Sequence, residues 1–291
     1  MFKRIVVATD MSPFAERAEA RAAMLAHELG CALDLLHVVD RLALESLRTL
    51  TSPPDAERRL MESSRSRLDG IKQSVSAKYG IPVTTTTLNV GRAHTEILRY
   101  TQLLEASLLV LGAHGGGFVK GMMIGSIVEK VLDVITCPLL IVREEPRTSY
   151  RRILIGVDFS SSTRDQLEYA RVIAPAADPV VVHAFEIPFE QALHLVGIGK
   201  QEINLYRAEM KAARQHEMEQ FLAGFGRTDA QPRYAVESGA AAAVIRQKAE
   251  ELDTELIVVG RQGRSAGEGG LPGATTRKII QSAQCDVLVL P

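Results

Sequence analysis

The sequence predicts an α/β protein with two tandem domains, each built around a doubly wound parallel sheet. The chain has 291 residues, which is enough for two domains at about 100 to 200 residues each. A set of landmark residues recurs at a fixed separation along the chain. Within each repeat, short apolar runs alternate with helical patterns, which is typical of parallel sheets made of right-handed β-α-β units.

The internal repeat consists of pairs of residues that lie 148 positions apart. The segment from Ile5 to Ser12 resembles the segment from Ile153 to Ser160, and this pairs Asp10 with Asp158. The remaining pairs are Gly91 with Gly239, Gly112 with Gly260, Gly115 with Gly263, Gly125 with Gly273, and Cys137 with Cys285. The predicted domains therefore cover residues 1–146 and 150–291, and a short charged linker that contains a proline joins them.

The composition excludes several classes of protein. With 34 Lys and Arg against 35 Asp and Glu, the net charge is −1, which disfavours a protein that binds nucleic acid through a strongly basic face. The three cysteines are widely spaced and form no C-x-x-C pair, so neither a disulfide framework nor a metal site is predicted. No apolar run is long enough for a membrane span or a secretory signal, and we expect a cytoplasmic protein.

The first repeat contains five apolar runs that predict strands, with helical patterns between them. Four of the five runs are continuously apolar, as expected for strands that are covered on both faces. Ser12 and Pro13 form a cap and a first helical residue, so the first helix begins there and ends near Gly30. The strands are predicted near residues 3–9, 33–39, 83–88, 107–112 and 138–143, and the later helices near 57–79, 93–105 and 126–135.

A glycine-rich loop follows the fourth predicted strand. Gly112 and Gly115 are followed by nine residues and then by Gly125 and Ser126, which begin a helix. Glycine lets a backbone approach a ligand closely, and the free N–H groups of a first helical turn favour an anion. Ser126 adds a hydroxyl donor, and Lys120 within the loop adds a positive charge. The pattern predicts a phosphate site.

Two familiar phosphate motifs are excluded by their spacing. A P-loop requires a Gly-Lys-Ser/Thr string, and the sequence contains none. The dinucleotide-binding fingerprint requires glycines after the first strand, where this chain has Thr-Asp-Met-Ser. Neither a P-loop NTPase nor a Rossmann dehydrogenase is therefore predicted.

The chain resembles the universal stress proteins, whose nucleotide-binding members carry the motif G-x2-G-x9-G-[ST]. The first repeat matches this motif without a gap, and the resemblance extends to Thr9 and Asp10 after the first strand, to the run around His37, and to the apolar strand after Pro138. The resemblance covers nearly the whole chain, twice. It implies a tandem protein with Rossmann-like domains of the adenine nucleotide alpha hydrolase-like type.

The resemblance also implies a ligand and its site. The ligand is ATP, or ADP or AMP, with or without Mg²⁺, and backbone groups near Val38 hold the adenine. Asp10 lies beside the nucleotide, although a capping role for Asp10 and Asp158 remains an alternative. The implied nucleotide-binding residues are Thr9, Asp10, Val38, Gly112, His114, Gly115, Gly125 and Ser126. No catalytic or metal-ligating residue is assigned.

The second repeat departs from the motif at one position. Its spacing is intact, but Ala274 stands where the hydroxyl residue belongs, and Thr275 one position later is rotated by about 100° around the helix. Arg261 and Arg264 are the residues that could offset the loss. We expect a weaker or empty second nucleotide site, formed by Asp158, Gly260, Gly263 and Gly273.

These observations favour a nucleotide-dependent sensor or switch that acts in stress response. A weak ATPase or phosphotransferase and a nucleotide-free scaffold or carrier of another ligand remain alternatives, and no arranged catalytic base points to an enzyme. The resemblance further implies that the two halves pair as an internal dimer through their last strands, residues 139–143 and 287–290, whose edges would otherwise be open to aggregation. A homodimer and an unidentified protein partner remain open. His37 and His183 are interpreted as core histidines, and Cys137 and Cys285 as small packing residues.

Overall fold

The chain forms two compact units in a computed structural model. The first unit comprises residues 1–149, 270–272 and 284–291, and the second comprises 150–269 and 273–283. The residues that the structure describes are 2–50, 55–116, 124–160, 162–188, 190, 196, 198–224, 232–263 and 271–291. Residues 284–291, the last strand of the second sequence repeat, belong by their contacts to the first unit.

Strands and helices alternate in both units. The first repeat contains β1 (Arg4–Thr9), α1 (Pro13–Leu29), β2 (Ala32–Asp40), α2 (Arg41–Leu50), α3 (Ala56–Tyr79), β3 (Val83–Gly91), α4 (Ala93–Leu103), β4 (Leu108–Gly112), α5 (Ser126–Val134) and β5 (Leu139–Val142). The second contains β6 (Arg152–Val157), α6 (Thr163–Ile173), β7 (Asp178–Phe185), α7 (Lys200–Ala223), β8 (Arg233–Ser238), α8 (Ala241–Glu251), β9 (Leu256–Gly260), α9 (Ala274–Ser282) and β10 (Asp286–Leu290). The sequence did not predict α2.

Each unit is a doubly wound parallel sheet, as predicted. The five strands of the first repeat have the order β3-β2-β1-β4-β5, with every neighbouring pair parallel. The second unit has the corresponding order β8-β7-β6-β9. Strand order reverses between β1 and β4, and again between β6 and β9. Ligands of open α/β sheets bind at the carboxyl ends of the strands at such switch points.

The edge of the first sheet is covered by a strand from the end of the chain. β10 runs antiparallel to β5, with Val287 opposite Ile141 and Val289 opposite Leu139. This confirms the predicted pairing of the last strands. Every residue of both strands is buried, so the pairing removes an apolar strand edge from solvent.

A buried carboxylate fixes the start of β10. Asp286 is 1% exposed, and its Oδ1 accepts hydrogen bonds from the backbone N–H groups of Arg143 at 2.8 Å and Glu144 at 3.2 Å. Its Oδ2 lies 3.6 Å from Nε of Arg21, which is also buried. The carboxylate therefore joins β10 to the end of β5 and to α1.

The repeat is visible in the backbone dihedrals as well as in the sequence. Positive φ angles occur at Met11 and Phe159, with values of 63° and 58°, and at Glu105 and Asp253, with values of 47° and 48°. Both pairs keep the separation of 148 positions seen in the sequence. A left-handed conformation is uncommon for a side-chain-bearing residue, so both repeats build the same turn before the first helix and before the fourth strand.

Local signals at the ends of α1 agree with the sequence analysis. The Ser12 hydroxyl accepts a hydrogen bond from the Ala15 N–H at 3.2 Å, and Pro13 occupies the first helical position. Gly30 ends the helix with φ of 60°, a conformation that glycine adopts without strain. These signals position the turn between β1 and α1, which borders the switch point.

The predicted core histidines occupy equivalent positions. His37 Nδ1 lies 2.7 Å from the Thr9 carbonyl oxygen, and His183 Nδ1 lies 2.9 Å from the Val157 carbonyl oxygen. Both rings thereby hold the last residue of the neighbouring strand. Burial lowers the pKa of His183, so this ring stays neutral near pH 7.

The cysteines follow the prediction only in part. Cys285 is buried, whereas Cys137 is partly exposed. Burial raises the pKa of Cys137 to about 11, which keeps it a thiol rather than a reactive thiolate at neutral pH. None of the helices in the described part of the chain combines the length and apolarity needed to cross a bilayer.

Replacing Asp286 by alanine is expected to lower the free energy of unfolding by about 3 kcal/mol. The change removes the acceptor of two backbone N–H groups and the carboxylate beside the buried Arg21 guanidinium, which still donates to the Thr148 carbonyl oxygen. Urea denaturation measures the effect, and Asp69→Ala on the exposed face of α3 is the matched control, with an expected change under about 0.5 kcal/mol. Equal losses in the two variants would contradict the role given to Asp286.

Candidate functional site

A cavity of about 300 Å³ lies at the switch point of the first unit. Its walls come from the carboxyl ends of β1, β2 and β4, from the glycine loop, and from α4 and α5. All eight site residues expected from the sequence line it, namely Thr9, Asp10, Val38, Gly112, His114, Gly115, Gly125 and Ser126. The fold therefore brings together residues that are spread over 118 positions of the chain.

Asp10 joins the glycine loop to the turn after β1. Its Oδ1 accepts a hydrogen bond from the Ser12 N–H at 3.0 Å, and its Oδ2 accepts one from the Gly116 N–H at 2.6 Å. The N-cap of α1 is Ser12 rather than Asp10. The Asp10 carboxylate therefore supports the loop directly, and both of its oxygens are used.

Three glycines permit the close approach of the loop. A Cβ atom on Gly115 would lie 2.7 Å from Asp10 Oδ2, and one on Gly112 would lie 2.9 Å from the Phe14 carbonyl oxygen. A Cβ on Gly125 would lie 3.3 Å from the carbonyl oxygen of Ala113, which accepts the Gly125 N–H at 2.8 Å. A side chain at Gly112 would force the loop backbone away from the turn after β1, and one at Gly115 would displace the Asp10 carboxylate that holds the loop.

The amino end of α5 opens into the same cavity. Gly125 is the N-cap in an extended conformation, and Ser126, Ile127 and Val128 of the first turn line the cavity. The N–H groups of a first turn have no intrahelical acceptors, and the helix dipole adds partial positive charge there. This end of the cavity is suited to an anion.

The opposite end of the cavity is apolar. Leu36 and Val38 of β2 and Ala93 and Ile97 of α4 form this wall. The sequence analysis identified only Val38 here, because an apolar residue at a strand end or on a helix face carries no distinguishing signal. A cavity with one apolar end and one anion-binding end suits a ligand that combines a ring system with phosphate.

Thr9 is supported from behind by a buried acid. Its hydroxyl donates to Oε1 of Glu19 on α1 and accepts the N–H of Met11 at 2.9 Å. Burial raises the pKa of Glu19, and the hydrogen bond from Thr9 and the charges of Glu16 and Asp10 have smaller effects. The hydroxyl of Thr9 is thus engaged with the turn and with α1, and Glu19 is a supporting residue that the sequence analysis missed.

The structure describes only some of the other loop residues that the sequence analysis named. The His114 ring packs against the Phe14 ring, with centroids 5.3 Å apart. Lys120 and Arg264 lie outside the described residues. No group of three or more acidic, histidine or cysteine side chains is arranged to hold a metal within the described part of the chain.

The second unit contains a corresponding cavity of about 430 Å³. Asp158, Gly260, Gly263 and Gly273 all line it, as expected. Asp158 Oδ1 accepts the Ser160 N–H at 3.0 Å, and a Cβ on Gly263 would lie 3.0 Å from Asp158 Oδ2. The close approach of loop and turn is therefore repeated.

The anion-binding end differs between the two cavities. Ala274 replaces the hydroxyl residue, and Thr275, one position later, is among the residues that line the second cavity, as its counterpart Ile127 lines the first. That the Thr275 hydroxyl is turned away from the phosphate position stays a prediction. Thr276 donates its hydroxyl to the Gly260 carbonyl oxygen at 2.8 Å and is thereby engaged with the loop. Arg261 is not among the residues that line this cavity.

Comparison with known proteins accounts for the repeated architecture. The family model for the "Universal stress protein family" matches residues 1–143 and again residues 149–291. The chain belongs to the universal stress protein family. Both sequence repeats are therefore universal stress protein domains, as the glycine motif indicated.

Individual relatives match either one domain or the whole chain. A universal stress protein of Bacillus subtilis, YxiE, is 33% identical over 150 residues, which cover 49% of this chain and all of the relative. A universal stress protein of Mycobacterium tuberculosis, Rv2623, is 26% identical over 299 aligned positions, covering 98% of this chain and 95% of the relative. The crystal structure of a universal stress protein from Archaeoglobus fulgidus shares the fold, with a TM-score of 0.67 at 20% identity over 99% of this chain and 97% of that one.

The buried carboxyl group of Glu19 is expected to make the stability of this universal stress protein domain depend on pH. Because the folded-state pKa of Glu19 is raised above 4.5, the folded chain holds this proton more tightly than the unfolded chain. The resulting stability is present below pH 4.5 and is lost as the pH rises through the folded pKa. Glu19→Gln, which keeps an acceptor for Thr9, is therefore expected to exceed the parent in stability at neutral pH and to match it in acid.

Urea denaturation of parent and variant across this pH range measures the difference. Asp69→Asn on the exposed face of α3 is the control and should follow the parent, because Asp69 is not among the charges that act on Glu19. An unchanged pH profile in Glu19→Gln would show that the Glu19 carboxyl does not carry the effect.

Proposed function

We propose that the first domain binds an adenine nucleotide, with ATP as the ligand, and that its occupancy acts as a switch in a stress response. One observation carries the proposal: the Asp10 carboxylate and the glycine positions bring the loop backbone to the amino end of α5, at the switch point of the sheet. Family membership supports the stress-related role.

The phosphates of the nucleotide would bind at the anion-binding end of the cavity. Loop N–H groups, the first turn of α5 and the Ser126 hydroxyl are donors for phosphate oxygens, and hydrogen bonds to charged groups contribute about 1.5 to 3 kcal/mol each. The exposed position of Ser126 leaves its hydroxyl accessible to a ligand.

The adenine ring would bind at the apolar end of the cavity. The wall formed by Leu36, Val38, Ala93 and Ile97 suits the faces of a planar ring. Main-chain groups at the end of β2 supply hydrogen bonds to its edge, as the family resemblance implies for Val38. The volume of about 300 Å³ encloses a base and ribose, while the phosphates extend along the loop.

The chemistry of Asp10 favours binding over hydrolysis. A carboxylate that already accepts the N–H groups of Ser12 and Gly116 is a structural clamp and not a free base. Its negative charge repels phosphate, and Mg²⁺ carried by the nucleotide would reduce that repulsion. Among the described residues, the Asp10 carboxylate is engaged with the loop and the turn, which favours binding of the phosphates over their hydrolysis.

Ligand binding would stabilise one state of the glycine loop. A ligand at a hundred times its Kd stabilises the folded protein by about 2.7 kcal/mol. Because Gly116 and Asp10 connect the loop to β1 and α1, this stabilisation extends to the surface around the loop. A partner that recognises that surface would then respond to the nucleotide concentration.

Native mass spectrometry with added Mg-ATP is expected to show one nucleotide per chain. Gly115→Val should abolish it, because the new side chain would overlap Asp10 Oδ2. Gly263→Val, the same change in the second repeat, is the matched control and should leave it intact. Absence of bound nucleotide at millimolar ATP would reject the proposal, and phosphate release above the buffer rate that Gly115→Val abolishes would favour the ATPase instead.

Ser126→Ala is expected to weaken ATP binding about tenfold to a hundredfold, since one hydrogen bond to a charged phosphate is lost. Isothermal titration calorimetry measures the change. Glu129→Ala, on the exposed face of the same helix, serves as the control. An unchanged affinity in Ser126→Ala would place the phosphates away from the start of α5.

A further inference from the structure

One buried side chain in the second unit has no polar counterpart in the first. Gln166 on α6 is 2% exposed and lines the second cavity. In the amide orientation that satisfies both polar atoms, the nitrogen of Gln166 donates to the Gly156 carbonyl oxygen at 2.9 Å. The amide oxygen accepts the Gly260 N–H at 3.0 Å. The residue 148 positions earlier is Ala18, whose methyl group forms no hydrogen bond.

The amide occupies the point where two strands separate. Pairing between β6 and β9 ends at Ile155 and Val258, so Gly156 and Gly260 lie just beyond the last paired residues. Gln166 bridges these two glycines across the gap. It therefore satisfies backbone groups at the switch point, which is where a ligand of this sheet would bind.

The first unit carries no amide side chain at the corresponding position. Pairing between β1 and β4 ends at Val7 and Val110, and Ala8, one residue further along, and Gly112, two residues further along, line the first cavity. The residue at the place of Gln166 is Ala18, which is fully buried. The two repeats, which share the same loop geometry, thus differ in whether a side-chain amide bridges the strand ends at the switch point.

We propose that Gln166 is a specificity-determining residue that closes the second domain to nucleotides. A ligand group that uses the Gly260 N–H must first displace a buried amide, and leaving that amide unsatisfied weakens binding about tenfold to a hundredfold. Ala274 is expected to contribute less, because Thr275 in the same first helical turn also lines this cavity. The proposal rests on the nucleotide site proposed for the first domain.

The test measures ATP binding by the second domain alone. In a full-length Gly115→Val chain, Gln166→Ala is expected to tighten Mg-ATP binding at the second site at least tenfold, by isothermal titration calorimetry. Ala274→Ser in the same background should change it less than threefold. If Gln166→Ala fails to fold, as judged by circular dichroism, Gln166→Asn replaces it, because its shorter amide spans only one of the two glycines.

The outcomes separate this proposal from the proposed function. An unchanged second-site affinity in the folded Gln166 variant, or a gain in Ala274→Ser of tenfold or more, overturns the role of Gln166. A gain in affinity cannot result from loss of structure alone, so the expected result is specific. The Gly263→Val chain reports on the first site separately, and its failure to bind ATP would reject the proposed function without deciding the role of Gln166.

Discussion

The close contact between the glycine loop and the turn after β1 is the constraint on which the first site depends. Asp10 holds the loop through the Gly116 N–H, and this contact forms only because Gly115 has no side chain. The turn is fixed in its own right by the left-handed Met11 and by Thr9, whose hydroxyl accepts the Met11 N–H. The shape of the cavity thus depends on a series of hydrogen bonds and close contacts that connects Glu19, a buried residue of α1, with the turn and the glycine loop.

The same loop geometry appears in both repeats, yet the surrounding contacts differ. Asp158 and Gly263 repeat the arrangement of Asp10 and Gly115. At the strand ends, however, the second repeat uses Gln166 to satisfy its own backbone. The second repeat therefore keeps the glycine motif as a structural feature, while one backbone group of that motif, the Gly260 N–H, is hydrogen-bonded within the protein.

Residue patterns in the sequence predicted the fold class, and the family resemblance that they carry implied the pairing of the last strands and eight site residues, all of which line the first cavity. These predictions succeeded because glycine spacing, Ser-Pro caps and apolar runs are local signals with local physical causes. Glu19 and Gln166 were missed because a polar residue on a helix carries no mark of burial until the helix is packed. The short α2 directly follows β2 without a separating loop, and no local signal distinguished it.

The placement of β10 affects how the chain is assembled. Residues 284–291 complete the first unit, although nearly the whole second repeat lies between them and β5 in sequence. During synthesis, the apolar edge of β5 therefore stays uncovered until the second repeat has been made. An uncovered strand edge is a site for unwanted pairing with other chains. Folding of the first unit is therefore completed by a strand that is translated after nearly the whole second repeat.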